Sequence, residues 1–450
     1  MPELWLLIFQ HVSPRQLHEV TLTCHLFRQL AQPLLFRSLS FHPYSLDSQG
    51  GRHLRKFDSL ERMQRRIAFC TSDSIRYAVQ DCRFLPHYSV LVRMGQFDED
   101  SSKANAMLDL IISALPRFIN LRALAFLFVD LNQAQVIQLC RLHLLDAISL
   151  CHCSIASISD QSIRSLVRTS KLQILSDKAP PLIRYQLGFS VLDPSHLQSV
   201  AFNNIHVVEL FMQDLLAAKV LPSLRTLSIP SSVPLIRDIV LLLHNLPALE
   251  QLTLTRSGPN LSLDHDFANV PTPVLARPLH AFHGPYQLAT KFIGGETLRE
   301  LTLWDGHPSS EAWRMQPTDI QDTLWSIRAA IHNVETLKIS VTCVDDVVLD
   351  TVCSVFPRLR TIQADVSYGL HIQSSASAYD FEVFMGVVMG SKFPSTMERL
   401  WINSQSLAHP LSQQELNTYA FYKRRLLEIY PGLSFVSLDD CDLTMSWVSS

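Results

Sequence analysis

The sequence predicts an α/β chain in two parts: three short N-terminal helices, then a long solenoid of short parallel strands with returning helices. Three observations predict it. Apolar residues fall at helical spacing over the first 40 residues or so, and a phrase of large residue, proline and spaced leucines keeps returning beyond residue 115. The composition is 47% hydrophobic and 18% charged over 450 residues, with mean hydropathy +0.13. Such a chain can bury a large core, which excludes wholesale disorder.

The helical part covers residues 1–41. Pro2-Glu3-Leu4 opens the first helix, with Leu4, Leu7, Ile8 and Val12 on one face. Ser13-Pro14 then supplies an N-cap followed by proline at the first helical position, and Leu17 and Val20 continue that second helix. A third helix carries Leu26, Phe27 and Leu30 on one side, and Pro33 is expected to close it. Three helices this short enclose a very small core. Surface-to-volume scaling makes such a unit marginal alone, so it tends to need a partner.

This stretch resembles an F-box. Met1-Pro2-Glu3-Leu4-Trp5-Leu6-Leu7-Ile8-Phe9-Gln10-His11-Val12 is similar to the opening of that motif, and Leu17, Val20, Cys24, Phe27 and Leu30 match its later positions. The tail Leu30-Ala31-Gln32-Pro33-Leu34-Leu35-Phe36-Arg37-Ser38-Leu39 is similar to fungal variants. One departure is plain: the family's leucine before the proline is missing, and Met1 stands there. The resemblance covers only about 40 residues, with several spaced positions agreeing in order. A bare helical cap on the following domain is the competing reading.

Residues 42–87 are expected as a helical linker, and 88–450 as the solenoid. Arg52, Arg55, Lys56, Arg62, Arg65 and Arg66 read as a solvated helix surface, with contact to an acidic partner as the sharper alternative. Tyr88 to Met94 is β-rich and predicts the first strand of the solenoid. Asp98-Glu99-Asp100 reads as a turn, with a helix starting at Ser101.

The recurring phrase has four unbroken copies. They are Leu221-Pro222-Ser-Leu224-x-x-Leu227-x-Ile229, Leu246-Pro247-Ala-Leu249-x-x-Leu252-x-Leu254, Phe356-Pro357-Arg-Leu359-x-x-Ile362-x-Ala364 and Tyr430-Pro431-Gly-Leu433-x-x-Val436-x-Leu438. The bare Leu-x-x-Leu-x-Leu part arises by accident about a dozen times in a chain this apolar. The added large residue and proline at fixed offset make accident improbable. With the frame set, anchors fall at Leu121, Leu145, Leu172, Leu197, Leu224, Leu249, Leu279, Leu298, Val334, Leu359, Met397 and Leu433. Spacing of this kind resembles irregular leucine-rich repeats. Two copies end on a small residue expected to be buried, Cys153 and Cys441.

Within one unit, alternating residues such as Leu252 and Leu254 point inward, while Thr253 and Thr255 point to the open, concave face. A helical stretch such as Leu235 to Leu246 returns the chain on the convex side, where proline stops it. No unit buries its face alone, so neighbours stack into one continuous core, and the stack should form an arc. Two stretches break the rhythm and are expected as long loops: 257–290 and 304–318.

Several functions find no support. Thirty-eight Lys and Arg against 41 Asp and Glu leave a charge of −3, so no basic excess is available to displace counterions from a nucleic acid. Apolar runs such as Ile239 to Leu243 stop far short of the roughly 20 residues a bilayer demands. The N-terminus lacks a positive region and a small-residue cleavage site, which argues against a secretory signal. Nine scattered cysteines do not read as a disulfide framework. A reduced compartment, cytoplasmic or nuclear, is expected. No metal is expected: Cys151-His152-Cys153 cannot converge on one tetrahedral ion, and His280-x-x-His283 and Asp264-His265-Asp266 sit in a proline-rich insertion. Gly386-x-x-x-Gly390-Ser391-Lys392 has the wrong spacing for a phosphate loop, and no nucleophile elbow is present. Neither cofactor nor catalysis is expected.

The resemblance implies the substrate-recognition subunit of an SCF-type ubiquitin ligase. Proteins with this motif dock on the Skp adaptor, which bridges to a cullin-RING ligase, while the repeats hold a target protein. The alternative is an F-box and leucine-rich-repeat scaffold that engages no cullin. By the resemblance, Pro2, Leu4, Ile8, Phe9, Leu17 and Phe27 form the adaptor interface or the bundle supporting it. Sequence alone does not separate contact from internal packing among these six.

Overall fold

A computed structural model describes residues 2–46, 52–55, 59–88, 97–98, 101–155, 167–175, 192–212, 221–255, 267, 270–305, 315–342, 344–366, 381–404, 421–422, 424–426, 428–440, 443–444 and 447–448. The chain divides into two compact units, Met1–Leu224 and Arg225–Ser450.

The first unit begins with helices α1 (Pro2–Gln10), α2 (Pro14–Thr21) and α3 (His25–Leu35). Ser13 caps α2 as expected. Its Oγ accepts the Gln16 N–H at 3.4 Å, and its own N–H donates to Gln16 Oε1 at 3.2 Å, a reciprocal capping box. At α3 the cap is Cys24, whose Sγ accepts the Phe27 N–H at 3.4 Å. Pro33 does not close α3, which runs on to Leu35. So near the C-terminus, the missing N–H costs one hydrogen bond, and the Phe36 N–H still closes onto Gln32 O at 3.1 Å.

Six strands of this unit pair in parallel and in chain order: Ser38–Phe41, Asp81–Phe84, Ala123–Leu127, Ala147–Cys151, Lys171–Leu175 and Ser199–Phe202. Each inserts alternate residues into a core. Phe41, Phe84 and Phe126 fall in register, with ring centroids 5.9 and 4.6 Å apart along the column. The ladder thus starts at Ser38, inside the stretch assigned to the helical part. Its second strand lies inside the expected helical linker, residues 42–87. Phe36-x-x-Leu39-x-Phe41 and Val79-x-x-Cys82-x-Phe84 are two further copies of the phrase. They escape the sequence search because neither has a proline two residues before its anchor, and Phe, Val or Cys replaces leucine.

The linker does contain one helix, α4 (Leu60–Cys70). Arg62 and Arg65 are exposed on it, whereas Arg66 donates to Ser40 O at 2.9 Å and lies over the Phe41 ring. Arg52 and Arg55 belong to a strand, Arg52–Arg55, and not to a helix. His87–Tyr88 pairs with Ser45–Leu46 in a separate small sheet and does not open the main ladder; residues 89–94 lie outside the described residues. A helix does start at Ser101, and Asp98 ends a short strand, Phe97–Asp98. Leu172 is no anchor. It is the first inward residue of its strand, paired with Ile148, and the anchor place belongs to buried Thr169.

The second unit repeats the pattern with strands Thr226–Pro230, Gln251–Thr255, Ala281–Pro285, Glu300–Trp304, Thr336–Val341, Thr361–Val366, Arg399–Ser404 and Phe435–Asp440. All pair in parallel with their chain neighbours. Helices Tyr286–Phe292, Pro317–Ile331 and Asp346–Val355 pack side by side behind them. The last strand is covered by two short antiparallel ones, Leu443–Thr444 and Trp447–Val448, which blunt an open edge. This is solenoid connectivity, with leucine-type residues inside as the phrase predicts. The insertions are shorter than expected: Ala281–Pro285 and the start of the helix Tyr286–Phe292 lie within 257–290, and Met315 and Pro317 rejoin the fold within 304–318. Asp264-His265-Asp266, Trp313 and Cys441 lie outside the described residues.

One feature recurs at the strand entrances. The carbonyl after most anchors accepts two N–H groups of the next repeat: Arg225 O takes those of Glu250 and Gln251 at 2.8 and 2.9 Å. Side chains at these positions alternate in sign, with Arg225–Glu250 at 3.5 Å, Arg299–Glu335 at 3.2 Å and Arg360–Glu398 at 3.3 Å. They are solvent-exposed pairs worth at most about 1 kcal/mol each. Register is held by the backbone ladder and the inward side chains.

Candidate functional site: an exposed apolar helical face

The three N-terminal helices enclose a core of their own. Phe9, Leu17 and Ala31 are buried, and Val12, Val20, Phe27, Leu30, Leu34 and Leu35 pack against them. Trp5 and Phe9, one turn apart on α1, turn toward α3 and meet Phe27 at 4.8 and 5.4 Å between centroids. Arg28 Nε donates to Thr21 O at 3.2 Å and ties α3 to the end of α2.

The same geometry divides the six sequence-derived residues. Phe9 and Leu17 are internal, and Phe27 is half-buried against them. Pro2 is exposed at the start of α1. Leu4 and Ile8, one turn apart, are 54% and 51% exposed, and Leu7 beside them is exposed too. Two further leucines of these helices, not among the six, are also exposed: Leu22, 66% exposed after α2, and Leu26 at the start of α3. Their signal was available, since both sit at helix boundaries where no inward partner is due.

An isolated exposed leucine needs no explanation, but several large aliphatic residues on one small unit do. Covering each half-exposed leucine or isoleucine is worth about 1 kcal/mol. That gain is available only to a partner with an apolar surface. Elsewhere, Cys153 is a core residue whose Sγ accepts the Val129 N–H at 3.4 Å, and burial pushes its thiol up to about 12. His152 stacks on Phe128 at 4.5 Å. Gly386 and Gly390 lie in a helix, Phe381–Gly390, and not in a phosphate-binding loop. Among the described residues no group of three His, Cys, Asp or Glu could hold a metal ion, and no helix is long and apolar enough to cross a membrane.

No family model matches this chain. No curated protein matches it either. Among solved structures, the crystal structure of a TLR13–ssRNA13 complex is similar over 80% of this chain, with 9% sequence identity and a TM-score of 0.30. This chain covers 56% of that one.

Proposed function

We propose that this protein is the substrate-recognition subunit of an SCF-type ubiquitin ligase. Helices α1–α3 dock on the Skp adaptor, and the repeats hold a target protein. The observation that supports this reading is the split within α1. Phe9 is buried and anchors the helix inward, with Trp5, itself 40% exposed, resting on Phe9 and Phe27, while Leu4, Leu7 and Ile8 stay exposed. A helical cap folded onto its own domain would turn such residues in. The order of the N-terminal motif adds the identity of the partner.

In this role the chain performs no bond chemistry. It raises the effective concentration of a target lysine beside the ubiquitin-loaded conjugating enzyme, and proximity alone accelerates the transfer.

The test is co-purification of the full chain with the Skp adaptor. The double substitution Leu4→Asp, Ile8→Asp abolishes capture and leaves the circular dichroism spectrum intact. Retained capture in that folded variant overturns the assignment. Probing the purified complex for cullin then separates a ligase receptor, which brings it down, from a scaffold, which does not.

A further inference from the structure

The turns that lead into the strands differ between the two units. Three residues before the carbonyl that opens each rung, the second unit carries residues such as Pro222, Pro247, Glu296, His332, Pro357 and Pro431. In the first unit that place holds Tyr77 and Ile119 in two consecutive turns, and the next turn presents Leu144 one position later. All three side chains face solvent, at 50%, 45% and 53% exposure. One such residue needs no explanation, but three in consecutive turns form an apolar strip.

The ladder sets the spacing of this strip. Asn120 Nδ2 donates to Tyr77 O at 2.7 Å and ties the first turn to the second. Gln80 O accepts the Arg122 and Ala123 N–H groups, and Arg122 O accepts those of Asp146 and Ala147, so the three turns enter neighbouring strands. At one strand spacing per repeat, Tyr77 and Leu144 stand about 10 Å apart. Cations border the strip. Arg117, Arg122 and Arg141 are exposed and lie within three residues of Ile119 or Leu144. Arg141 donates to Gln138 at 3.1 Å, whereas the side chains of Arg117 and Arg122 make no ion pair or hydrogen bond with another described residue. The nearby acids are engaged, Asp73 with Arg76 at 2.7 Å and Asp146 with Lys171 at 3.7 Å. From Met1 to Leu224 the unit carries 22 Lys and Arg against 18 Asp and Glu, a net of +4.

We propose that this strip binds an acidic amphipathic helix of a partner protein, with apolar side chains on Tyr77, Ile119 and Leu144 and carboxylates on Arg117 and Arg122. Residues i, i+4 and i+7 of an α-helix share one face and span about 10 Å, so a single ridge meets all three side chains. The unpaired guanidinium groups select Asp and Glu beside that ridge. A nucleic acid fits less well, because Ile119 and Leu144 offer no ring on which a base could stack. The inference rests on the reading of the repeats as the part that holds a target, and it names the chemistry of that target.

The experiment uses the full-length protein and a fluorescein-labelled helical peptide with leucines at i, i+4 and i+7 and glutamates on either side of them. A permuted peptide of the same composition, a glutamine-for-glutamate version and an oligothymidine serve as comparators. Fluorescence anisotropy reports binding of the acidic ridge peptide, and the permuted and glutamine versions bind at least about tenfold more weakly. Ile119→Asp with Leu144→Asp, and separately Arg117→Glu with Arg122→Glu, lower its affinity by about tenfold or more. All four side chains are exposed, so circular dichroism is unchanged in both variants. Ile119→Leu retains most of the affinity. Leu4→Asp with Ile8→Asp leaves peptide binding intact, and Ile119→Asp with Leu144→Asp leaves adaptor capture intact, so the two proposals fail separately. Unchanged affinity in the folded strip and charge-reversed variants overturns this one. So does equal binding of the permuted or neutral peptide, or tighter binding of oligothymidine. Loss of adaptor capture in the folded Ile119→Asp, Leu144→Asp variant overturns it too, because the strip then belongs to the adaptor.

Discussion

Phe9 and Phe27 meet edge to face, with centroids 5.4 Å apart and planes at 85°. This contact pins α1 to α3 and so decides which side of α1 is left to a partner. On the proposed reading, folding and docking are carried by different residues of one nine-residue helix.

The separation is measurable. Phe9→Ala removes a buried ring from a core of only a few side chains and costs about 3–5 kcal/mol, enough to release so small a unit. Helical content falls by circular dichroism, and adaptor capture falls with it. Leu4→Asp changes stability by about 0.5 kcal/mol or less, because its side chain is half in water already, yet capture falls as far. Equal losses of helix in both variants would show that Leu4 also packs inside.

Cys24 tests whether the proposed adaptor contact extends from α1 to the α2–α3 turn. It is exposed between Leu22 and Leu26, and its thiol caps α3. In the free chain a maleimide labels Cys24 ahead of buried Cys82 and Cys153, whose thiols burial pushes well up, that of Cys153 to about 12. Bound adaptor slows labelling at Cys24 and leaves the other two unreactive until the chain unfolds. Peptide mapping by mass spectrometry reads both. Undiminished labelling of Cys24 in the complex places the adaptor away from the α2–α3 turn.

Much of the ladder was legible because its inward positions are mostly large apolar side chains, and in the clearest copies proline marks the turn before the strand. The frame slipped where that chemistry changes. Thr169 fills an anchor place by hydrogen bonding instead of bulk: its Oγ1 donates to Asp146 O at 2.9 Å. Periodicity in hydrophobicity has no means of registering such a substitute. The first two strands were missed for a different reason: apolar Phe36 and Val79 hold the anchor places, but no proline stands two residues ahead of either. At the docking face the limit is different. Leu4, Phe9 and Leu17 have the same polarity, and only the direction of α1 relative to α3 separates the exposed one from the buried two.

The Thr169 reading predicts an asymmetry. Thr169→Val keeps the volume and loses one hydrogen bond. Asp146 O still accepts the Ser170 and Lys171 N–H groups at 3.0 and 2.9 Å, so the cost is about 1 kcal/mol. Thr169→Asp buries a carboxylate with no cation beside it and costs several-fold more. Chemical denaturation of the full chain compares the two; equal effects would mean that the site is open to water.

His283 predicts how the second unit responds to acid. It lies on the sheet face in register with Thr253 and Thr302, with its Nε2 buried and lacking a hydrogen-bond partner. Burial holds its pKa below the ordinary histidine value. The charge of Lys338 acts in the same direction, and Glu300, 3.8 Å away, opposes both without reversing them. The folded state therefore binds this proton less readily than the unfolded state. Its contribution to stability is complete above the ordinary histidine range, and it is lost as pH falls from that value to the lowered one. His283→Gln removes the titration, so the variant loses less stability than the parent on acidification through that window, and the two run parallel above it. Urea unfolding at a series of pH values, followed by tryptophan fluorescence, reads the difference. If the parent instead gains stability relative to the variant as pH falls, Glu300 outweighs burial. Glu300→Gln then restores the predicted sign, because it removes the one charge that favours the protonated ring.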